Sequence, residues 1–153
     1  MKKYEQWFSL IARLVLGGTL LAAGLLKISH PYTSAAAVRA YRVLPTELAN
    51  LIGYALPWFE IGIALTLIFG LGVRLSASIA GALMLIFIAG VASAWARGLT
   101  IDCGCFGGGG QVAPGATQYW QEIARDLGLT LLAAFLIWRP RSRFALGETK
   151  GAI

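Results

Sequence analysis

With 153 residues the chain is long enough for one domain and short for two. Hydrophobic residues make up 58% and charged residues only 13%, with a mean hydropathy of +0.70, which excludes an ordinary soluble globular domain. The net charge of +6 falls mostly between the apolar runs, where basic residues anchor a membrane protein, so it is not read as nucleic-acid binding.

A helix of about 20 apolar residues crosses a bilayer. Four runs qualify, at about residues 7–28, 51–69, 75–95 and 119–138. The runs are continuous rather than alternating, so the spanning element is a helix. In the first run "MKK", the apolar stretch and "SAAAVRA" have the outline of a signal peptide, but Arg13 interrupts the stretch and Lys27 closes it, and cleavage is not expected. In the second run Pro57 removes a backbone donor and predicts a bend. Only "GLGVR" joins the second and third runs, which makes them an antiparallel hairpin. Trp7, Trp95, Tyr119, Trp120 and Trp138 fall near span ends, where amphipathic rings favour the headgroup layer. The expected fold is therefore all-α. Residues 1–153 form one polytopic membrane domain, a four-transmembrane-helix antiparallel bundle.

Orientation follows from the basic residues. Lys2, Lys3, Arg74, Arg139, Arg141, Arg143 and Lys150 would share one side; Lys27, Arg39, Arg42, Arg97 and Arg125 lie on the other. The excess places both termini in the cytoplasm and the loop before the last span outside.

Charges within apolar spans are costly and usually meet in pairs. Arg13, Gly17, Gly24 and Lys27 share one arc of the first span, as do Gly53, Pro57, Glu60 and Ala64 in the second. Small residues on both faces allow close approach. An intramembrane ion pair between Arg13 and Glu60 is expected, as a structural pair or as a proton or substrate site. A second polar layer gathers at the outer edge, where Lys27 ends the first span and Glu122, Arg125 and Asp126 open the fourth. Asp126 is too short to snorkel far, so it needs a partner.

The loop before the fourth run reads "IDCGCFGGGG" and holds both cysteines, Cys103 and Cys105. An i, i+2 pair can close a disulfide if the middle residue accepts an unusual backbone, as Gly104 does. So short a ring is a poor staple, since it removes little entropy from the unfolded chain. Two thiolates also suit a soft metal, but a closed site needs more ligands than the chain has to spare, and no metal is assigned. Redox chemistry is the leading reading, with a soft-metal handling or transport protein and a non-catalytic membrane scaffold as alternatives.

"DCGCFG" ahead of a span carrying Arg125-Asp126 resembles the MauE branch of the MauE/DoxX redox-associated membrane proteins. "RLVLGGTLLAAGLLKISHP" and "LPWFEIGIALTLIFGLG" are similar to the first two spans of that family. The resemblance implies a four-helix bundle in the bacterial inner membrane. It also implies a thiol–disulfide redox role in methylamine utilisation, with a periplasmic thioredoxin-like protein or a disulfide-containing client as partner. By position the family's motif residues fall on Cys103, Cys105, Phe106, Gly107, Arg125 and Asp126, with Arg13, Lys27 and Glu60. Cys103 and Cys105 would be the redox couple, supported by Asp102, Gly104, Phe106, Gly107, Lys27, Arg125 and Asp126. Membrane disulfide generators commonly use two cysteine pairs and a quinone; this chain has one pair, so a second protein or a quinone would have to reset it.

Overall fold

The computed structural model describes residues 2–147, so Lys150, counted above among the cytoplasmic basic residues, lies outside the described residues. All four expected runs are helical: α1 Lys2–Ser29, α3 Thr46–Phe69, α4 Val73–Ala96 and α5 Tyr119–Trp138. Between the first two lies a short helix that the sequence did not suggest, α2 Pro31–Ala40. Two further strands, β1 Ile101–Asp102 and β2 Gly110–Gln111, pair antiparallel with Ile101 opposite Gln111 and Asp102 opposite Gly110. The chain is thus mostly helical, with a minimal hairpin in place of a purely irregular loop.

By length and composition, α1 (over Lys3–Ser29), α3 and α4 are three helices able to cross a membrane. The fourth expected span, α5, is also helical, but Glu122, Arg125 and Asp126 occupy its first two turns and shorten its apolar stretch. The outward faces agree with a lipid setting. Leu14, Leu51, Trp58, Leu75, Ile86 and Leu131 are all exposed, an apolar exterior larger than soluble proteins tolerate.

The core runs between α1, α3, α4 and α5. Leu16, Leu20, Ala64, Leu67, Ala77, Ala80, Met84, Ala133 and Leu136 pack there. Helix α1 packs chiefly on α3, and α4 on α5. The α1–α3 contact is close because it lacks side-chain bulk. A Cβ on Gly17 would lie 3.2 Å from the Ala64 carbonyl, and one on Gly24 2.9 Å from that of Pro57.

Pro57 does lie inside α3, and its missing N–H leaves the Gly53 carbonyl without its helical donor. The Ser34 hydroxyl of α2 donates to that oxygen at 2.7 Å. Gly53 allows the approach, since a Cβ there would sit 2.5 Å from Ala35 Cα. A helix defect in one element therefore seats the next.

The bundle has two distinct ends. At one, the residues after α5 dock on the α3–α4 turn: Leu146 N–H donates to Phe69 O at 3.2 Å and Gly147 N–H to Gly70 O at 3.1 Å. Arg13 belongs to this end, donating to the Ser142 hydroxyl and to the carbonyls of Ile68 and Phe144 at 3.3 and 3.4 Å. At the other end sit α2, the β-hairpin and the start of α5.

The expected Arg13–Glu60 pair is therefore corrected. Gly17 faces Ala64 and Leu67, and Gly24 faces Pro57 and Ile61, so Glu60 is level with the second half of α1. Arg13 is level with Gly70, ten residues along the chain from Glu60, or roughly 15 Å at 1.5 Å per residue. Glu60 instead takes Lys27, whose ammonium lies 2.6 Å from its Oε1.

Candidate functional site

The site begins with how the cysteine turn is held. The β1–β2 ladder closes residues 103–109 into a hairpin tip. Within it Asp102 Oδ1 accepts the Gly104 N–H at 3.0 Å, a local side-chain turn that fixes the backbone entering the motif. Gly104 takes φ +71°, in the left-handed region, and a Cβ there would run into Ala37 of α2. Gly107 also has positive φ and lies against Leu26 at the end of α1. Cys103 and Cys105 are joined sulfur to sulfur, with their Cα atoms 5.4 Å apart. Cys105 N–H points at Cys103 Sγ, 3.1 Å away.

The two sulfur-bearing residues differ in exposure. Cys103 is half-buried, whereas Cys105 is 7% exposed. Beside Cys103 lie Asp102 and Glu122, and one donor atom from each of the three falls within 4.8 Å of the others. These two carboxylates also line an outer cleft with Thr117 and Gln118.

Two tyrosines brace the hairpin. The Tyr119 hydroxyl accepts the Ile101 N–H at 3.2 Å and donates to Leu99 O. The Tyr41 hydroxyl donates to Cys103 O at 3.1 Å. Burial, and then the carboxylates of Glu122, Asp126 and Asp102, push the Tyr41 hydroxyl up from its ordinary value. In the unfolded chain the phenol ionises near pH 10. The stability it contributes is thus complete below about pH 10 and is lost as the pH rises toward the folded value. Tyr41→Phe should cost about 1 kcal/mol at neutral pH and should lose less thermal stability than the native chain above about pH 10. Equal alkaline losses in the two proteins would show that Tyr41 does not carry this dependence.

Beneath the turn is a small, partly open pocket of about 20 Å³, lined by Thr19, Leu20 and Ala23 of α1, Glu60 of α3, Met84 and Phe87 of α4, and Arg125, Asp126 and Leu129 of α5. Cys105 and Phe106 line it from the side of the turn. Two ion pairs flank it. Lys27 Nζ meets Glu60 Oε1, both side chains nearly inaccessible. Arg125 forks onto Asp126 Oδ1 through Nε at 3.0 Å and an Nη at 2.9 Å, a charge-assisted geometry. The Phe106 ring lies 4.8 Å from the Arg125 guanidinium carbon, stacking the turn on the ion pair. In each pair one carboxylate oxygen is used and the other, Glu60 Oε2 or Asp126 Oδ2, has no hydrogen-bond partner among the described residues.

Asp102, Gly104, Phe106, Gly107, Lys27, Glu60, Arg125 and Asp126 thus gather around Cys103 and Cys105, while Arg13 lies at the far end of the bundle. Tyr41 and Ala37 lie outside the four apolar runs, in or just after the segment "PYTSAAAVRA". A proline at the first helical position followed by three alanines was the available signal.

Fold and site together define a small helical membrane protein with a cysteine pair on a hairpin at one end of its bundle, set over a buried cluster of two acid–base pairs. The chain belongs to the MauE family: the family model for "Methylamine utilisation protein MauE" matches residues 5–139. It is similar to the methylamine utilization protein MauE of Methylorubrum extorquens, at 38% identity over 120 residues covering 78% of this chain and 62% of that protein. The Paracoccus denitrificans protein of the same name is 35% identical over 141 residues, covering 92% of this chain and 74% of the relative. A third, from Methylophilus methylotrophus, is 34% identical over 98 residues, 63% of this chain and 52% of the relative. No solved structure matches the chain.

Proposed function

We propose that this protein is a membrane thiol–disulfide exchange protein serving methylamine utilisation, with Cys103 and Cys105 as its redox couple. The observation that carries the reading is a joined cysteine pair on a braced hairpin, with Cys103 partly accessible. In the exchange a partner thiolate attacks one sulfur and the other leaves as a thiolate. A second thiolate of the partner then resolves the mixed disulfide, leaving the partner oxidised and both cysteines reduced once two protons are taken up. The reverse sequence oxidises the pair. A periplasmic thioredoxin-like protein or a disulfide-containing client fits this role, since it brings two thiols on one chain.

The corresponding topology is four spans in the bacterial inner membrane, with α5 as the fourth. The end where Arg13 meets the residues after α5 would be cytoplasmic, and the cysteine hairpin extracytoplasmic, where disulfides persist. A second protein disulfide, or a quinone, would reset the couple. The grouping of Asp102, Cys103 and Glu122 favours the soft-metal reading in one respect, but two of its three donors are hard carboxylates.

The test is mass spectrometry of untreated protein followed by equilibration in glutathione buffers. The expected result is an intramolecular Cys103–Cys105 disulfide that titrates reversibly, and loss of methylamine-dependent growth when both cysteines are serine. Stoichiometric metal on the reduced protein, or full growth of the double-serine strain, would overturn the redox reading.

A further inference from the structure

We infer that the cavity below the cysteine turn is an internal proton site: Asp126, with Glu60 beside it, hands a proton to the Cys105 sulfur when Cys103 exchanges with a partner. This rests on the redox reading above and assigns unequal roles to the two cysteines.

The inequality comes from position. Cys103 is half-buried beside the outer cleft, whereas Cys105 is 7% exposed and lines the pocket beneath the turn. A partner reaches Cys103 more readily than Cys105. When its thiolate attacks Cys103, the new bond forms there, the Cys103–Cys105 bond breaks, and the electron pair of that bond leaves on Cys105. A thiolate released at a buried sulfur lacks the water that would solvate it, so exchange is slow unless a proton is supplied from within.

The cavity holds what such a supply requires. Asp126 and Glu60 line it together with Cys105, and they are 2% and 0% exposed. Each carboxylate has one oxygen fixed by a cation and a second with no hydrogen-bond partner among the described residues. Buried carboxylate oxygens without a donor call for an explanation, and two on one cavity share one: a proton, a water or both. The space suffices for a single water, which needs about 10–15 Å³. The charged and titratable groups facing Asp126 are Lys27 of α1, Glu60 of α3, Arg125 and Glu122 of α5, and Tyr41 after α2. Helix α4 contributes only Met84 and Phe87 to the cavity.

With Oδ1 still accepting from Arg125 and its proton on Oδ2, the Asp126 carboxyl gives that proton, directly or through the water, to the Cys105 thiolate, yielding a thiol and an Asp126 carboxylate that Arg125 and Lys27 stabilise. When Cys103 is later released from the mixed disulfide, its proton comes from solvent through the outer cleft. Asp126 regains a proton when Cys105 is reoxidised, because the Cys105 thiol must lose one to attack.

The experiment uses the full chain in detergent micelles, with dithiothreitol as the attacking dithiol. The native disulfide should be reduced with a normal solvent isotope effect when rates are expressed per dithiothreitol thiolate, which removes the isotope effect on the reagent's own ionisation. Asp126→Asn should slow reduction by about 100-fold, in the range that general acids contribute, and abolish the isotope effect, while Asp126→Glu restores most of both. A merely structural role for Asp126 would leave the isotope effect in place. In the reduced native chain, limiting iodoacetamide should alkylate Cys103 about ten-fold faster than Cys105, following access to the thiolate. That measurement, with the native isotope effect, still decides the matter if Asp126→Asn does not fold. Equal reduction rates in native and Asp126→Asn protein, or preferential alkylation of Cys105, would overturn the proton site while leaving the redox reading intact. A native pair that dithiothreitol cannot reduce, or that does not re-form, would overturn both.

Discussion

Replacing Lys27 alone with Gln should lower stability by about 3–5 kcal/mol, because it strands a carboxylate in the bundle interior. Glu60 is fully buried, its Oε1 is held by Lys27 at 2.6 Å, and its Oε2 has no hydrogen-bond partner among the described residues. Removing the ammonium leaves nothing to offset the cost of burying that charge. Glu60→Gln strands Lys27 in turn, although the long stem of Lys27 lets its head move outward and softens the loss. The double replacement should be more stable than the sum of the single losses predicts, since it buries two neutral amides rather than one unpaired charge. Arg13→Gln combined with Glu60→Gln should give additive losses, because Arg13 is engaged at the far end with Ser142, Ile68 and Phe144. Thermal unfolding of the native chain and the five variants in one detergent measures both cycles. A coupling between Arg13 and Glu60 larger than that between Lys27 and Glu60 would contradict the observed register.

That register shows where sequence reading stops. Hydropathy located the helices well: the run read as 119–138 is the helix Tyr119–Trp138, and the run read as 75–95 is Val73–Ala96. Apolar length is a local property, so the chain displays it directly. The facing of Gly17 and Gly24 toward α3 was equally legible, because glycines on one helical arc signal close packing whatever lies opposite. Which cation reaches Glu60 depends on how far α1 slides along α3, and no local pattern encodes that offset. Lys27 and Arg13 share the same arc, so only depth separates them. The hairpin and α2 were hidden for a different reason. A two-residue ladder has almost no periodicity, and the role of Ala37 is to be small at one contact. Asp126 was identified as needing a partner, yet its partner is the adjacent Arg125, a pairing that helical spacing does not favour and that the buried setting imposes.

The cysteine turn depends on one missing methyl group, and Gly104→Ala should displace it. At φ +71° an L-residue pays about 1–2 kcal/mol. The added Cβ would also collide with Ala37 Cβ and stand 3.1 Å from Gly108 O. Overpacking of this kind costs about 1–3 kcal/mol, so a combined loss of about 2–5 kcal/mol is expected if the two costs add. The hairpin has little to resist with: two ladder residues, the Tyr41 and Tyr119 hydroxyls and the Asp102 turn. The turn should therefore lift off α2 rather than force α2 aside, since Ser34 anchors α2 to Gly53. Lifting would expose Cys105 and equalise the alkylation of the two reduced thiols. Ala37→Gly removes the atom struck and, in combination with Gly104→Ala, should recover the overpacking part of the loss but not the part due to the backbone angle. Thermal unfolding and the ratio of Cys103 to Cys105 alkylation, measured on the two single variants and the double, separate the contributions. If Gly104→Ala leaves that ratio at its native value, the seat of the turn on Ala37 is not what keeps Cys105 enclosed.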